Sequence, residues 1–282
     1  MKIKVYAKLN LALNVTSLEE NGYHNLDMVN QSISIFDDIE LTPREDKLCK
    51  VYCDRDIGII NTALTSASQF VKRFDCCGYD VTVKKGIPMM GGLGGSSADA
   101  AGILTALAKL HDADMAEVYE IADVVGSDVK YMMTGGLARV TGRGNCVQPI
   151  HSDAVLYFVL VLPPFGMSTQ RVYHGFDEQH DFTVADNSKI INAVLSEDTE
   201  AIRQNIHNGL QSTAFRVDGR LKEIFDAVSA ICPVQMTGSG SCLFAVADSK
   251  ADSHFIAERL KKEGFNAIAV ESKNFGVEYI EE

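Results

Sequence analysis

Residues 88 to 101, Pro88-Met89-Met90-Gly91-Gly92-Leu93-Gly94-Gly95-Ser96-Ser97-Ala98-Asp99-Ala100-Ala101, carry the most readable chemistry in the chain. Glycines lack a Cβ, so Gly91, Gly92, Gly94 and Gly95 allow backbone N–H groups to converge on phosphate oxygens. A helix starting just after them adds unpaired N–H groups and the positive end of its dipole. Ser96 and Ser97 supply hydroxyls able to hold a phosphate or a magnesium-bound oxygen. Glycines also serve simple chain reversals, but their place between a strand and a helix, with two serines at the helix start, favours phosphate. The G-x-x-x-x-G-K-[ST] pattern is absent, so this is not a Walker A loop. A second small-residue segment, Thr237-Gly238-Ser239-Gly240-Ser241-Cys242, either brings backbone up to a ligand or makes a tight turn.

The elements that must position these residues follow from periodicity. Ile3 to Asn14 reads as a strand that enters a turn near Asn21-Gly22, and Ser32 to Leu41 as a second strand broken at Asp37-Asp38. Ala63, Ala67, Phe70, Val71 and Phe74 are spaced as one face of a helix over residues 62 to 74. Tyr79 to Val83 is a strand, the glycine loop follows, and helical spacing resumes from Ala98 to Leu110. The apolar run Leu156 to Leu162, stopped by Pro163-Pro164, is a buried strand opening a second lobe, which puts the boundary near residue 150 and the lobes at 1–150 and 151–282. Helices are predicted over Ser188 to Leu195, Arg220 to Ile231 and Ser253 to Lys262, with a glycine turn leading to a strand between Gln235 and Ala247.

Composition narrows the function. The 282 residues, 46% hydrophobic, can build two lobes around a shared cleft. A net charge of -12 argues against a nucleic-acid partner, whose backbone is held by clustered cations, and points to a small molecule. No run of about 18 apolar residues suggests a membrane span. The seven cysteines show no metal-ligand spacing, so reduced thiols in the cytoplasm and no metal site are expected.

The glycine loop resembles the ATP-binding motif of the GHMP kinases. Ala7-Lys8-Leu9-Asn10-Leu11, Asn21-Gly22-Tyr23-His24, the loop from Pro88, Gly126-Ser127-Asp128-Val129 and the Thr237–Cys242 segment occur in the order of one branch of that superfamily, over nearly the whole chain. That branch phosphorylates a cytidine diphosphate ester of methylerythritol in non-mevalonate isoprenoid synthesis. The resemblance implies an α+β, two-lobed fold. Its N-terminal lobe would be of the ribosomal-protein-S5-like α/β kind and its C-terminal lobe ferredoxin-like, with the active site between them. It also implies ATP, with Mg2+, as cofactor, in a monomer or homodimer.

The same resemblance assigns residues. Lys8 and Asp128 match the catalytic pair: a carboxylate takes the acceptor's proton while an ammonium balances charge. Without it, a solvated lysine and a helix-capping aspartate would be the plainer reading. Pro88, Gly91, Gly92, Leu93, Gly94, Gly95, Ser96 and Ser97 match the ATP loop, with Asn61 and Lys84 on the adenine side. Tyr23 and His24 match cytidine-recognising positions, Tyr173 a second aromatic wall, and Asn10 and Thr169 the methylerythritol or phosphate contacts.

The sequence departs from the branch in three places. Lys130 stands where proline usually follows the Asp-Val pair and could lend a second ammonium; the loop reads Gly94-Gly95-Ser96-Ser97-Ala98 where three glycines before two serines are common; Asn145 stands where a glutamate is common. Another alcohol or sugar acceptor, or a catalytically silent nucleotide-binding homologue, therefore stays open at this level.

Overall fold

The computed structural model describes residues 1–20, 22–59, 61–179, 182 and 184–280. Asn21, named in the turn motif, lies outside the described residues. The chain opens with β1 (Lys2–Leu18) and β2 (His24–Pro43), antiparallel along nearly their full lengths. β3 (Lys50–Cys53) lies parallel to β4 (Tyr79–Lys84), and β5 (Leu137–Gly142) pairs with β6 (Cys146–Ile150). β2 does not break at Asp37-Asp38. Asp37 turns inward, and its Oδ1 accepts from the N–H groups of Gly86 and Ile87 at 2.6 and 2.8 Å, so the acid is satisfied without ending the strand. The irregularity comes earlier, where Tyr6 pairs with Phe36 but Ala7 with Ile33. On either side of this bulge β2 has a different outer partner, β4 along Asp38–Pro43 and β5 along Leu26–Gln31.

Helices α1 (Thr62–Phe74), α2 (Gly95–His111), α3 (Met115–Val125) and α4 (Val129–Thr134) cover this sheet. Alanines and leucines are buried along α2, which lies so close to β1 that a Cβ at Gly102 would sit 2.1 Å from Val5 Cγ1. That contact fixes where the N-terminus of α2 points.

The remaining elements are β7 (Tyr157–Val161), α5 (Thr169–Asp177), α6 (Asn187–Leu195), α7 (Thr199–Asn205), β8 (His207–Asn208), α8 (Gln211–Val217), α9 (Gly219–Ser229), β9 (Gln235–Met236), β10 (Leu243–Ala247), α10 (Lys250–Lys262), β11 (Ala267–Lys273) and β12 (Val277–Ile280). A second antiparallel sheet runs β9-β10-β7-β11, with α10 packed on it. β11 joins the sheets: Ala267–Glu271 pairs with β7, and Ser272 and Lys273 pair with β2. β12 then pairs with β1, so the end of the chain returns to the sheet where it began. The fold is α+β in two lobes. Among the described residues no helix is long and apolar enough to cross a membrane.

Candidate active site

A cavity of about 820 Å³ opens along the glycine loop and is lined by parts of both lobes. Its floor is the loop. Gly94 occupies the N-cap of α2 at φ 75°, a left-handed conformation natural to glycine, and α2 starts three residues earlier than periodicity indicates, so Ser96 and Ser97 sit in its first turn. The Thr237–Cys242 segment buttresses the loop from behind. A Cβ on Gly92 would meet Thr237 O at 2.3 Å, one on Gly238 would meet Gly92 O at 2.7 Å, and Cys242 N donates to Gly91 O at 3.2 Å. The segment is a turn, closed by Gly240 N to Thr237 O, and its Gly238 and Ser239 also face the cavity.

Lys8 stands on β1, tied to the loop by its N–H to Leu93 O at 3.0 Å. The residue is 4% exposed, and Nζ donates to Asn10 Oδ1 at 2.5 Å and lies 3.8 Å from Asp128 Oδ2. Burial pulls the Lys8 pKa below the usual lysine range, and Asp128 opposes that pull. Asp128 holds the N-cap position of α4, yet its carboxylate makes no capping bond and faces Lys8 instead. Asn10 is fully buried: beyond holding Lys8, it donates through Nδ2 to Asn30 at 2.7 Å and through its backbone N–H to Thr237 Oγ1 at 3.0 Å.

At the other end of the cavity, His24 Nε2 bonds Asp177 Oδ1 at 2.6 Å and its ring lies 4.7 Å from that of Tyr173. Tyr23 is 56% exposed at the rim, beneath the Arg143 guanidinium 4.7 Å from its ring centre. Thr169 and Tyr173 are one turn apart on α5 and both line the cavity, with Thr169 Oγ1 2.9 Å from Ser239 Oγ. Burial, then the Asp128 charge, keeps the Tyr173 phenol protonated well above its ordinary range.

Of the residues expected on the adenine side, Asn61 lines the cavity, but its amide caps α1 through Leu64 N at 2.8 Å and donates to Gly58 O at 2.9 Å. Lys84 is the misplaced one: it lies on the exposed face of β4, and the next residue, Lys85, lines the cavity. One step along a strand reverses the face. Lys85 Nζ is gripped by Asp37 at 2.5 Å and Asp99 at 2.7 Å. Burial, moderated by Lys85 and reinforced by Asp37, pushes the Asp99 carboxyl up to about 7, and its Oδ1 is buried with no hydrogen-bond partner among the described residues. Lys130 does not join the site: its Nζ bonds Asp123 at 2.6 Å, on the α3 side.

A cleft between two α+β lobes, floored by a glycine loop at a helix N-terminus and holding an ammonium beside a carboxylate, defines a phosphoryl-transfer enzyme acting on small molecules. Comparison with known proteins agrees. The model of the GHMP kinases N terminal domain matches residues 61–141 and that of the GHMP kinases C terminal region matches residues 190–266. A 4-diphosphocytidyl-2-C-methyl-D-erythritol kinase of Clostridium beijerinckii is 32% identical over 271 residues, covering 93% of this chain and 96% of that one. The same-named enzyme of Pseudothermotoga lettingae is 33% identical over 90% of this chain and 94% of its own. A crystal structure of 4-(cytidine 5'-diphospho)-2C-methyl-D-erythritol kinase superposes with a TM-score of 0.81 at 28% identity, covering 96% of this chain and 99% of that chain. Homoserine kinase from Cytophaga hutchinsonii shares the fold, with a TM-score of 0.75 at 15% identity. The chain belongs to the GHMP kinases and is an ATP-dependent small-molecule kinase.

Proposed function

We propose that the enzyme transfers the γ-phosphoryl group of ATP to the 2-hydroxyl of 4-diphosphocytidyl-2-C-methyl-D-erythritol. The observation that carries the chemistry is the 3.8 Å approach of Lys8 Nζ to Asp128 Oδ2 beside the glycine loop. The acceptor rests on the names of the relatives and on Tyr23, His24 and Tyr173 grouped at one end of the cavity. Asp128 accepts the proton of the acceptor hydroxyl as its oxygen attacks the γ-phosphorus, and Lys8 keeps that carboxylate ionised and offsets the charge that builds up. Asn10 aims the Lys8 ammonium. The residues 91–97 hold the ATP phosphates through backbone N–H groups, with Asn61, Thr62 and Lys85 around the base.

Magnesium fits as a companion of ATP, because it keeps several waters and binds through phosphates plus one or two protein oxygens. Among the described residues no group of three or more His, Cys, Asp or Glu stands ready to cage a metal. Ser96 and Ser97 line the cavity in the first turn of α2, and their hydroxyls would hold the ion beside the ATP phosphates, where it would supply charge neutralisation. The seven free thiols suit a reducing cytoplasm. We divide the chain near residue 150, with the last strand returned to the first lobe.

The test is Asp128→Asn, which removes the proton acceptor and preserves shape. Turnover should fall by about 10² to 10⁴-fold while ATP affinity holds. Near-normal turnover would leave positioning and phosphate electrostatics as the whole mechanism.

A further inference from the structure

A second cavity, of about 480 Å³, lies between α5 and α8 on the side of α5 away from Tyr173. Arg171 and His174 line it from α5, Thr213 and Arg216 from α8. The helices meet closely beneath it, since a Cβ at Gly175 would come within 3.1 Å of Val217 Cγ2 and 3.2 Å of Thr213 Cγ2. Elsewhere in this acidic protein Arg73, Arg139, Arg143, Arg203 and Arg220 are each matched to a carboxylate. Arg171 and Arg216, like Arg55 and Arg259, form no ion pair among the described residues, and these two face one cavity. Arg216 is held by its own Nη2 bond to Thr213 Oγ1 at 2.9 Å. Of the acids here, Asp218, which feels the Arg171 charge, is gripped by Arg220 through bonds of 2.9 and 2.5 Å, and Glu178 lines the cavity beside His174, its Oε1 3.8 Å from His174 Nδ1.

We propose that this cavity binds a diphosphate group. Two guanidinium forks that lack carboxylates suit the paired oxyanions of a diphosphate, and an arginine fork matches phosphate geometry bidentately. The volume falls within the range of small-molecule sites and exceeds what a single phosphate fills. Gln170 lines both this cavity and the catalytic one, and α5 also carries Thr169 and Tyr173, so the occupant would sit on the back of a helix whose front faces the acceptor.

The experiment is calorimetric titration of the whole enzyme with inorganic diphosphate in metal-free buffer, with an alkyl diphosphate ester in parallel. Tighter binding of the ester would identify an organic diphosphate as the occupant; equal binding would identify the free ion. Arg171→Gln and Arg216→Gln, both at exposed positions, should each weaken binding by about 10-fold, because a charged hydrogen bond is lost, while kinase turnover stays at the parent value. Gly94→Val, in the catalytic loop, should leave this binding intact. Absence of binding by the parent would overturn the proposal. So would undiminished binding by the double arginine variant, or loss of binding in Gly94→Val alone, which would place the anion on the glycine loop.

Discussion

Replacing Gly94 tests whether the loop works by letting backbone, and nothing else, face the phosphates. At φ 75° any L-residue carries a left-handed penalty of roughly 1–2 kcal/mol. The added Cβ would also land 2.0 Å from Met132 Cε, 3.2 Å from Lys8 Cγ and 3.4 Å from Lys8 Cε. The Met132 methyl is the free end of a flexible chain and can swing away. The Lys8 stem cannot move without carrying Nζ off Asn10 and Asp128. Gly94→Ala should therefore cost about 1–2 kcal/mol in urea unfolding, and turnover should fall by roughly 10²-fold, as expected of an ångström-scale misplacement. Gly94→Val, branched at Cβ, should also weaken ATP binding. Gly264→Ala is the control: its φ is 90° and nothing lies within 4 Å of the new Cβ, so it should lose similar stability and no activity. A folded Gly94→Val enzyme with the ATP affinity and turnover of the parent would refute the reasoning.

Three further outcomes are expected. Lys8→Met should cut turnover, and adding Lys130→Ala should make it no worse, because Lys130 is committed to Asp123; steady-state rates decide both. Tyr23→Ala should raise KM for the cytidyl acceptor on the order of 10- to 100-fold, the equivalent of losing about 1–3 kcal/mol of base stacking, with KM for ATP unmoved. Asp99, raised to about 7 in the folded protein, binds a proton there that the unfolded chain has already released above its usual carboxylate range, so its contribution to stability falls as pH rises from about 4 to about 7 and stays lost above. Between about pH 5.5 and pH 8 the parent should lose stability relative to Asp99→Asn in urea melts, and parallel pH profiles would contradict this.

Long, regular elements were legible in the sequence. α1, β4, β7 and α10 lie where apolar spacing places them, within a few residues, because each buries one face with a clean period. α4 was not, since six residues give no period to read, and its importance lies in carrying Asp128 at its N-cap. The supposed break at Asp37-Asp38 misread an inward acid as a turn; only the partner N–H groups some 50 residues away make it a strand residue. Lys84 and Lys85 differ by one strand position, and no pattern marks which faces the cavity once the alternation of β4 ends. The Lys8 and Asp128 approach was reachable through family resemblance, whereas the partners His24–Asp177 and Asn10–Asn30 depend on contacts across the fold. Arg143 stood in a turn with glycines on both sides, and nothing in its spacing announced the Tyr23 ring.

The central claim is the identity of the acceptor, and it is tested by measuring kcat/KM with ATP for 4-diphosphocytidyl-2-C-methyl-D-erythritol beside homoserine, mevalonate and galactose, with the product followed by phosphorus NMR. A new phosphate monoester on the methylerythritol 2-hydroxyl, formed far faster than any product from the other three alcohols, is the predicted result. Faster phosphorylation of one of those alcohols, or ATP turnover indifferent to the cytidyl ester, would contradict it.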